Sequence, residues 1–139
     1  MITINKYRVN KLIPDAANII KAHTFYKEDK KTNPYPENEK PKEYNGYISA
    51  FNANCIMMTP LASAVMYNSS KSSSEDKSVI TNWIYDLLKV ENPSFAAKAS
   101  LVDYIEDNTI GGKLNTSALI NIITAGNALK LAIRKFKLV

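Results

Sequence analysis

Residues Tyr44–Ser70, YNGYISAFNANCIMMTPLASAVMYNSS, run without a single charged side chain. The stretch is long enough to cross a bilayer, which takes about 20 apolar residues. Its composition speaks against that. Hydrocarbon offers no partner to the amides of Asn45, Asn52, Asn54 and Asn68, and Thr59-Pro60 would interrupt the backbone ladder midway. The spacing predicts a helix pair instead. Tyr44, Tyr47, Ile48, Phe51, Cys55 and Met58 recur at helical intervals and gather into one stripe, with Asn45, Ser49 and Asn52 on another side. Near Ile56 and Met57 the segment is apolar on more than one side, which predicts its deepest burial there. Thr59 is placed to cap a second helix, and Pro60 suits that helix's first turn, where a missing N–H costs nothing.

Outward from this core, the punctuation divides the chain into further helices. Val9, Leu12, Ile13, Ala16 and Ile20 form one stripe, with Pro14 as a kink or a first-turn proline. Residues 26–41, YKEDKKTNPYPENEKP, are charged and proline-rich and read as an exposed loop. NSSKSSSED supplies a linker and a helix start, with Ser72 or Ser73 as cap and Glu75 or Asp76 in the first turn. Ile80, Trp83, Ile84 and Leu87 then share one side. Asn92-Pro93 resets the chain, and Phe95, Ala99, Leu101, Val102 and Ile105 make another helical face. Gly111-Gly112 is the clearest break, after which Asn115 or Thr116 caps a last helix that buries Ile122, Leu129, Ile133 and Phe136. No alternating run requires a sheet. The expected fold is all-α, a single-domain bundle of five to six helices over residues 1–139.

A chain of 139 residues can bury roughly 68% of its unfolded surface and needs no disulfide or metal to do so. Its single cysteine excludes an intramolecular disulfide, which fits a reducing cytoplasm. The opening MITINKYRVNKLIPDAA lacks an apolar core of signal-peptide length, and no other segment reads as a membrane span, so a soluble, cytoplasmic protein is expected.

The chemistry of catalysis is sparse. His23, the one histidine, has no Cys, Asp or Glu at metal-ligand spacing and reads as a surface or satisfied interior residue. Cys55 sits on the apolar stripe without a basic neighbour to activate it. Asp103, Glu106 and Asp107 are explained by a solvated acidic face. Phosphate-loop, dinucleotide, zinc-protease and CxxC motifs are missing. The expectation is no enzyme, no catalytic residue, no metal, no cofactor and no small-molecule substrate.

Charge points elsewhere. The net charge is +5, and from Asn108 onward five bases (Lys113, Lys130, Arg134, Lys135 and Lys137) face no acid in the sequence. A basic end on an otherwise balanced domain suits a polyanion. Lys130, Arg134 and Lys137, spaced i, i+4, i+7, would form one ridge continuing the line of Leu119, Ile123 and Gly126, able to track a phosphate backbone. Lys135 projects to another side, and Arg8 with Lys11 forms a smaller pair at the other terminus. The helix dipole also favours such cations in a last turn. No aromatic platform of the RNA-recognition-motif type is visible.

One stretch resembles a known family. PKEYNGYISAFNANCIMMTPLASAVMY, from Pro41 to Tyr67, is similar to the small helical subunit of type III-B CRISPR effectors, the Cmr RNA-silencing complex. Pro41 to Tyr44, Gly46 to Ser49, Phe51 and Tyr67 carry the likeness. ALKLAIRKFKLV from Ala128 resembles that family's closing helix, and NKLIPDAANII from Asn10 its opening helix. The family tends to have Gly after the Phe and a Gly-Leu pair at the helix joint, whereas this chain has Asn52 and Thr59-Pro60.

The resemblance implies an all-α, non-catalytic subunit, copies of which stack along an antiviral effector beside other Cmr-type subunits. Their basic faces would line the path of guide and target RNA. Arg8, Lys11, Lys130, Arg134, Lys135 and Lys137 are then the nucleic-acid-binding residues. Three alternatives accompany this reading: the small subunit of a type III-A complex, another basic helical nucleic-acid binder, and a regulatory helical bundle that binds protein alone.

Overall fold

The structure, a computed structural model, describes residues 2–27, 32–57, 60–70, 76–97 and 100–139. Among these lie six α-helices: α1 (Lys6–Ala22), α2 (Glu43–Met57), α3 (Pro60–Ser69), α4 (Ser78–Glu91), α5 (Leu101–Asp107) and α6 (Thr116–Ile133). A 3-10 helix covers Pro93–Ala97. Four two-residue strands, β1 (Glu39–Lys40), β2 (Thr109–Ile110), β3 (Lys113–Leu114) and β4 (Lys137–Leu138), form two small ladders. The all-α, single-domain bundle is therefore the fold, and the ladders only tie its ends and turns.

α6 is the axis of the bundle. Ala118, Ile122, Ile123, Ala125, Gly126, Ala128, Leu129, Ala132 and Ile133 are all buried, on more than one side of the helix, and α1, α2 and α4 pack around it. Each fully buried Ile or Leu contributes about 1.5–3 kcal/mol, which explains why three helices are drawn to one. By length and composition α6 also passes for a membrane span, with a mean hydropathy of 1.3 over 18 residues, although more than half of that window is covered within the bundle.

Local chemistry accounts for the helix ends. Asn5 caps α1, its side-chain oxygen accepting from the Arg8 N–H at 3.2 Å, and Asn115 caps α6 by accepting from Ala118 at 3.1 Å. α1 runs through Pro14, whose ring sits on the exposed side, and buries Val9, Leu12, Ala16 and Ile20. Pro60 opens α3 as expected, while Met58 and Thr59 lie outside the described residues. α4 begins later than the serine run suggests: Asp76 accepts from both the N–H (3.0 Å) and the hydroxyl of Ser78, and Ser72, Ser73 and Glu75 lie outside the described residues. Ile80, Trp83, Ile84 and Leu87 are buried together. The helical face expected over Phe95–Ile105 is divided, because Ser100 starts α5 afresh by capping Asp103 at 3.2 Å; Ala99 lies outside the described residues. Gly111 and Gly112, at φ 61° and 78°, make the two-residue turn between β2 and β3 that residues with a Cβ rarely adopt.

Two expectations are corrected. Ile56 is 63% exposed, so the chargeless segment is enclosed most deeply at Ile48, Phe51 and Cys55 and opens outward toward its joint. The segment 26–41 is not an exposed loop throughout. β1 pairs in parallel with β4, Val139 donates to the Lys40 carbonyl at 3.0 Å, and Lys42 donates to the Val139 carbonyl at 3.0 Å. Lys40 is buried, its ammonium donating to the His23 carbonyl at 2.9 Å and lying 5.7 and 5.5 Å from the ring centroids of Phe25 and Phe136. A lysine is tolerated there because a carbonyl and two ring faces replace water, and its desolvation pushes the ammonium pKa down.

α2 meets α6 through an unusual contact. Asn52 is buried with both amide atoms unpartnered, and its oxygen lies 1.9 Å from where a Cβ at Gly126 would stand. The missing side chain at 126 is thus what admits the carboxamide at 52. Gly126→Ala is expected to destabilise the protein by about 1–3 kcal/mol through overpacking, and by clearly less in an Asn52→Ala background. Urea denaturation of the four proteins of this cycle measures the coupling, and equal costs in both backgrounds would rule out the contact.

Candidate nucleic-acid interface

The start of α1 and the end of α6 enclose a groove of about 450 Å³. Ile4, Val9 and Leu131 supply its apolar lining, Asn10 and Asn127 supply amides, and Lys6, Lys130 and Arg134 supply positive charge. Among the described residues no acid lines it. The Asn5 cap sets the phase of α1, so Lys6 and Asn10, one turn apart, face the groove together. On the other side Lys130 occupies the last turn of α6 and Arg134 its C-cap, where the negative end of the helix dipole favours cations.

The six basic residues singled out in the sequence have different fates. Lys130 and Arg134 meet at the groove. Lys6, which charge counting passed over, joins them, and its signal was the i, i+4 pairing with Asn10 behind a capping asparagine. Lys135 and Lys137 are exposed but do not line the groove. The expected ridge does not form, because α6 ends at Ile133 and a turn follows in which Lys135 and Phe136 donate to Ala132 and Ile133. Lys137 enters β4 opposite Glu39, and Ile123 and Gly126, on the projected line, are buried. Lys11 is exposed and lies away from the groove. Among the described residues Lys11, Lys130, Arg134, Lys135 and Lys137 take part in no ion pair.

Arg8 is a structural clamp. Its guanidinium donates to both Glu91 oxygens, Nε to Oε2 at 2.7 Å and Nη2 to Oε1 at 2.5 Å, and Nη2 also donates to Asn121 Oδ1 at 2.8 Å. Asn121 in turn donates to the Tyr104 hydroxyl at 3.0 Å, so one network joins α1, α4, α5 and α6. The hydrogen bond it donates to Glu91 raises the guanidinium pKa, despite partial burial. A phosphate would have to displace this two-point carboxylate. Arg8→Ala is expected to lower stability by about 1–3 kcal/mol in denaturant titration.

The residues weighed for catalysis are dispersed. Cys55 is buried on α2, and burial alone pushes its thiol pKa up to about 12, leaving it protonated at neutral pH. His23 follows α1 and packs edge-on against Phe25 (4.5 Å) and Trp83 (5.8 Å). Burial lowers its pKa most, the Lys40 charge lowers it further, and Asp76 opposes both. Among the described residues no group of three or more His, Cys, Asp or Glu is placed to hold a metal. The depressed His23 pKa has a definite sign in stability. Its contribution is complete above the unfolded value of about 6.5 and is lost as pH falls toward the folded pKa, because the unfolded chain binds the proton more readily. Urea midpoints at pH 7.5 and 5.5 are expected to fall more for the parent protein than for His23→Gln.

Compared with family models, with curated proteins and with solved structures, the chain matches none.

Proposed function

We propose that this protein is a non-catalytic, cytoplasmic RNA-holding subunit, and that the groove between α1 and α6 is where it meets the phosphate backbone. The observation that carries the reading is the convergence of Lys6, Lys130 and Arg134 on one groove that no acid among the described residues lines. Three cations that form no ion pair among the described residues, beside two amides, suit a chain of phosphates, and the apolar lining suits sugar carbons. A groove formed at the meeting of two helices also gives the charges a fixed spacing, which a mobile tail would not.

The likeness of Pro41–Tyr67 to the small subunit of type III-B CRISPR effectors supports a more specific version. In that version copies of the chain stand along the complex beside other Cmr-type subunits and stabilise bound target RNA, while cleavage belongs elsewhere. Two or three phosphate contacts in a single copy give weak binding, about 10⁻⁴ M or poorer at physiological salt. Repetition along one strand raises the effective concentration without new contacts, so weak individual binding is compatible with firm collective retention. No cofactor is required for such a role.

Reversal of charge tests the groove. Lys130→Glu together with Arg134→Glu is expected to weaken RNA binding and to reduce the slope of log K against log salt by about 1.4, two contacts at about 0.7 each on a single strand. Lys135→Glu with Lys137→Glu, equal in charge but outside the groove, is expected to change affinity far less. Equal losses from both pairs would show that net charge, not the groove, binds the RNA. Purification from the native cell separates the wider readings: a multi-subunit particle with a short RNA supports the effector assignment, and an RNA-free assembly containing protein alone supports the regulatory bundle.

A further inference from the structure

A second cavity, of about 220 Å³, lies where the end of α1 meets the start of α2 and shares no residue with the α1–α6 groove. Its walls include the rings of Phe25, Tyr26, Tyr35, Tyr44 and Tyr47, and the Glu43 carboxylate lines it as well. The chain turns back after α1 to build it. Lys27 donates to the Asn33 carbonyl at 2.7 Å and Tyr35 donates to the Phe25 carbonyl at 2.8 Å, which sets Tyr35 beside Phe25. Phe25 and Tyr44 approach to 4.5 Å between ring centroids, and Tyr44 and Tyr47 to 5.2 Å. Tyr44 is buried and held by its hydroxyl on the Asp76 carbonyl at 3.1 Å, whereas Tyr26 is 41% exposed. The pocket thus has an ordered aromatic interior and an accessible mouth.

Rings around a carboxylate suit two kinds of ligand, an organic cation or a flat heterocycle. The protein's own lysines decide between them. Lys27 Nζ lies 5.6 Å from the Tyr35 centroid, Lys77 Nζ 4.8 Å from that of Tyr47, and Lys40 Nζ 5.7 Å from that of Phe25. Three of the five rings already carry an ammonium within the distance of about 6 Å at which such contacts act, so an incoming cation meets like charge. A neutral ring attached to a phosphate meets the opposite: aromatic surface for stacking and positive charge around it. The cavity is smaller than the roughly 300–1,000 Å³ of pockets for drug-sized ligands, which limits it to a single ring system.

We infer that the pocket formed by Phe25, Tyr35, Tyr44 and Tyr47 with Glu43 is a binding site for one nucleobase of a nucleotide, favouring bases that carry an exocyclic amino group. The carboxylate accepts from the amino edge of cytosine or adenine, which uracil lacks. The base belongs either to a free nucleotide or to a strand that continues beyond the pocket. Occupancy by a free nucleotide stands apart from the RNA-holding reading of the α1–α6 groove.

Titration of the full-length protein with CMP, AMP and UMP, followed by amide chemical shifts, tests this site. CMP and AMP are expected to shift the resonances of Tyr35, Glu43 and Tyr47, with UMP about tenfold weaker. Tyr35→Ala is expected to weaken CMP binding by about tenfold or more through loss of stacking, Glu43→Gln to remove the preference over UMP, and Lys130→Glu with Arg134→Glu to leave CMP binding as it was. An octamer of cytidine that binds more tightly than CMP, and loses that advantage in the Lys130 and Arg134 double variant, identifies a strand as the source; equal affinity identifies the free nucleotide. The inference is overturned if tetramethylammonium shifts these resonances and nucleotides do not, if inorganic phosphate alone reproduces the CMP shifts, or if no nucleotide shifts them at all.

Discussion

The packing of this protein depends on one apolar helix of 18 residues, α6, more than half of which its neighbours cover. α1, α2 and α4 lie against it, and the remaining elements arrange themselves around those contacts. The requirement reaches to the ends of the chain. The five residues 135–139 that follow the α6 cap come to rest on the segment 38–42, and the β1–β4 pair is a result of that proximity. It also reaches the charges. Covering α6 with α1 brings the start of one beside the end of the other, and the cations at both places share a groove.

The charges illustrate how differently one residue type is used within one fold. Lys6 and Arg8 are two residues apart in α1 and therefore point to different sides. One faces the groove. The other holds Glu91 and Asn121 and belongs to the packing. Lys40 is the extreme case, buried on a carbonyl and two rings, in a segment whose composition suggests solvent. A cation's sequence position states that charge is present. Whether the charge is offered to a partner depends on which groups reach it first.

Small residues and aromatic ones divide the packing between them. Gly126 lets α2 approach α6 at Asn52, because no Cβ stands where the carboxamide lies. At the opposite extreme, His23, Phe25, Tyr44, Tyr47 and Trp83 crowd the junction after α1, with edge-on and tilted ring contacts that hold irregular backbone in place. The nucleobase pocket is the unfilled part of that junction.

Periodicity and punctuation determined the helices, because hydrophobic stripes at Val9–Ile20, Tyr44–Cys55 and Ile80–Leu87, the asparagine cap at Asn115, and the Gly111-Gly112 turn are all local properties of backbone and side chain. Half of the basic groove was legible in the same way: Lys130 and Arg134 stood out at the end of an apolar helix, whereas the extension to Lys137 failed because i, i+7 spacing has meaning only while the helix continues, and α6 stops at Ile133. The tertiary structure alone decided that Arg8 is consumed by Glu91, that Lys6 completes the groove, that Ile56 faces outward, and that aromatic residues from 25 to 47 surround one cavity. Each of these depends on a neighbour distant in sequence, and a pattern of 3.6-residue repeats carries no information about which distant face arrives opposite it.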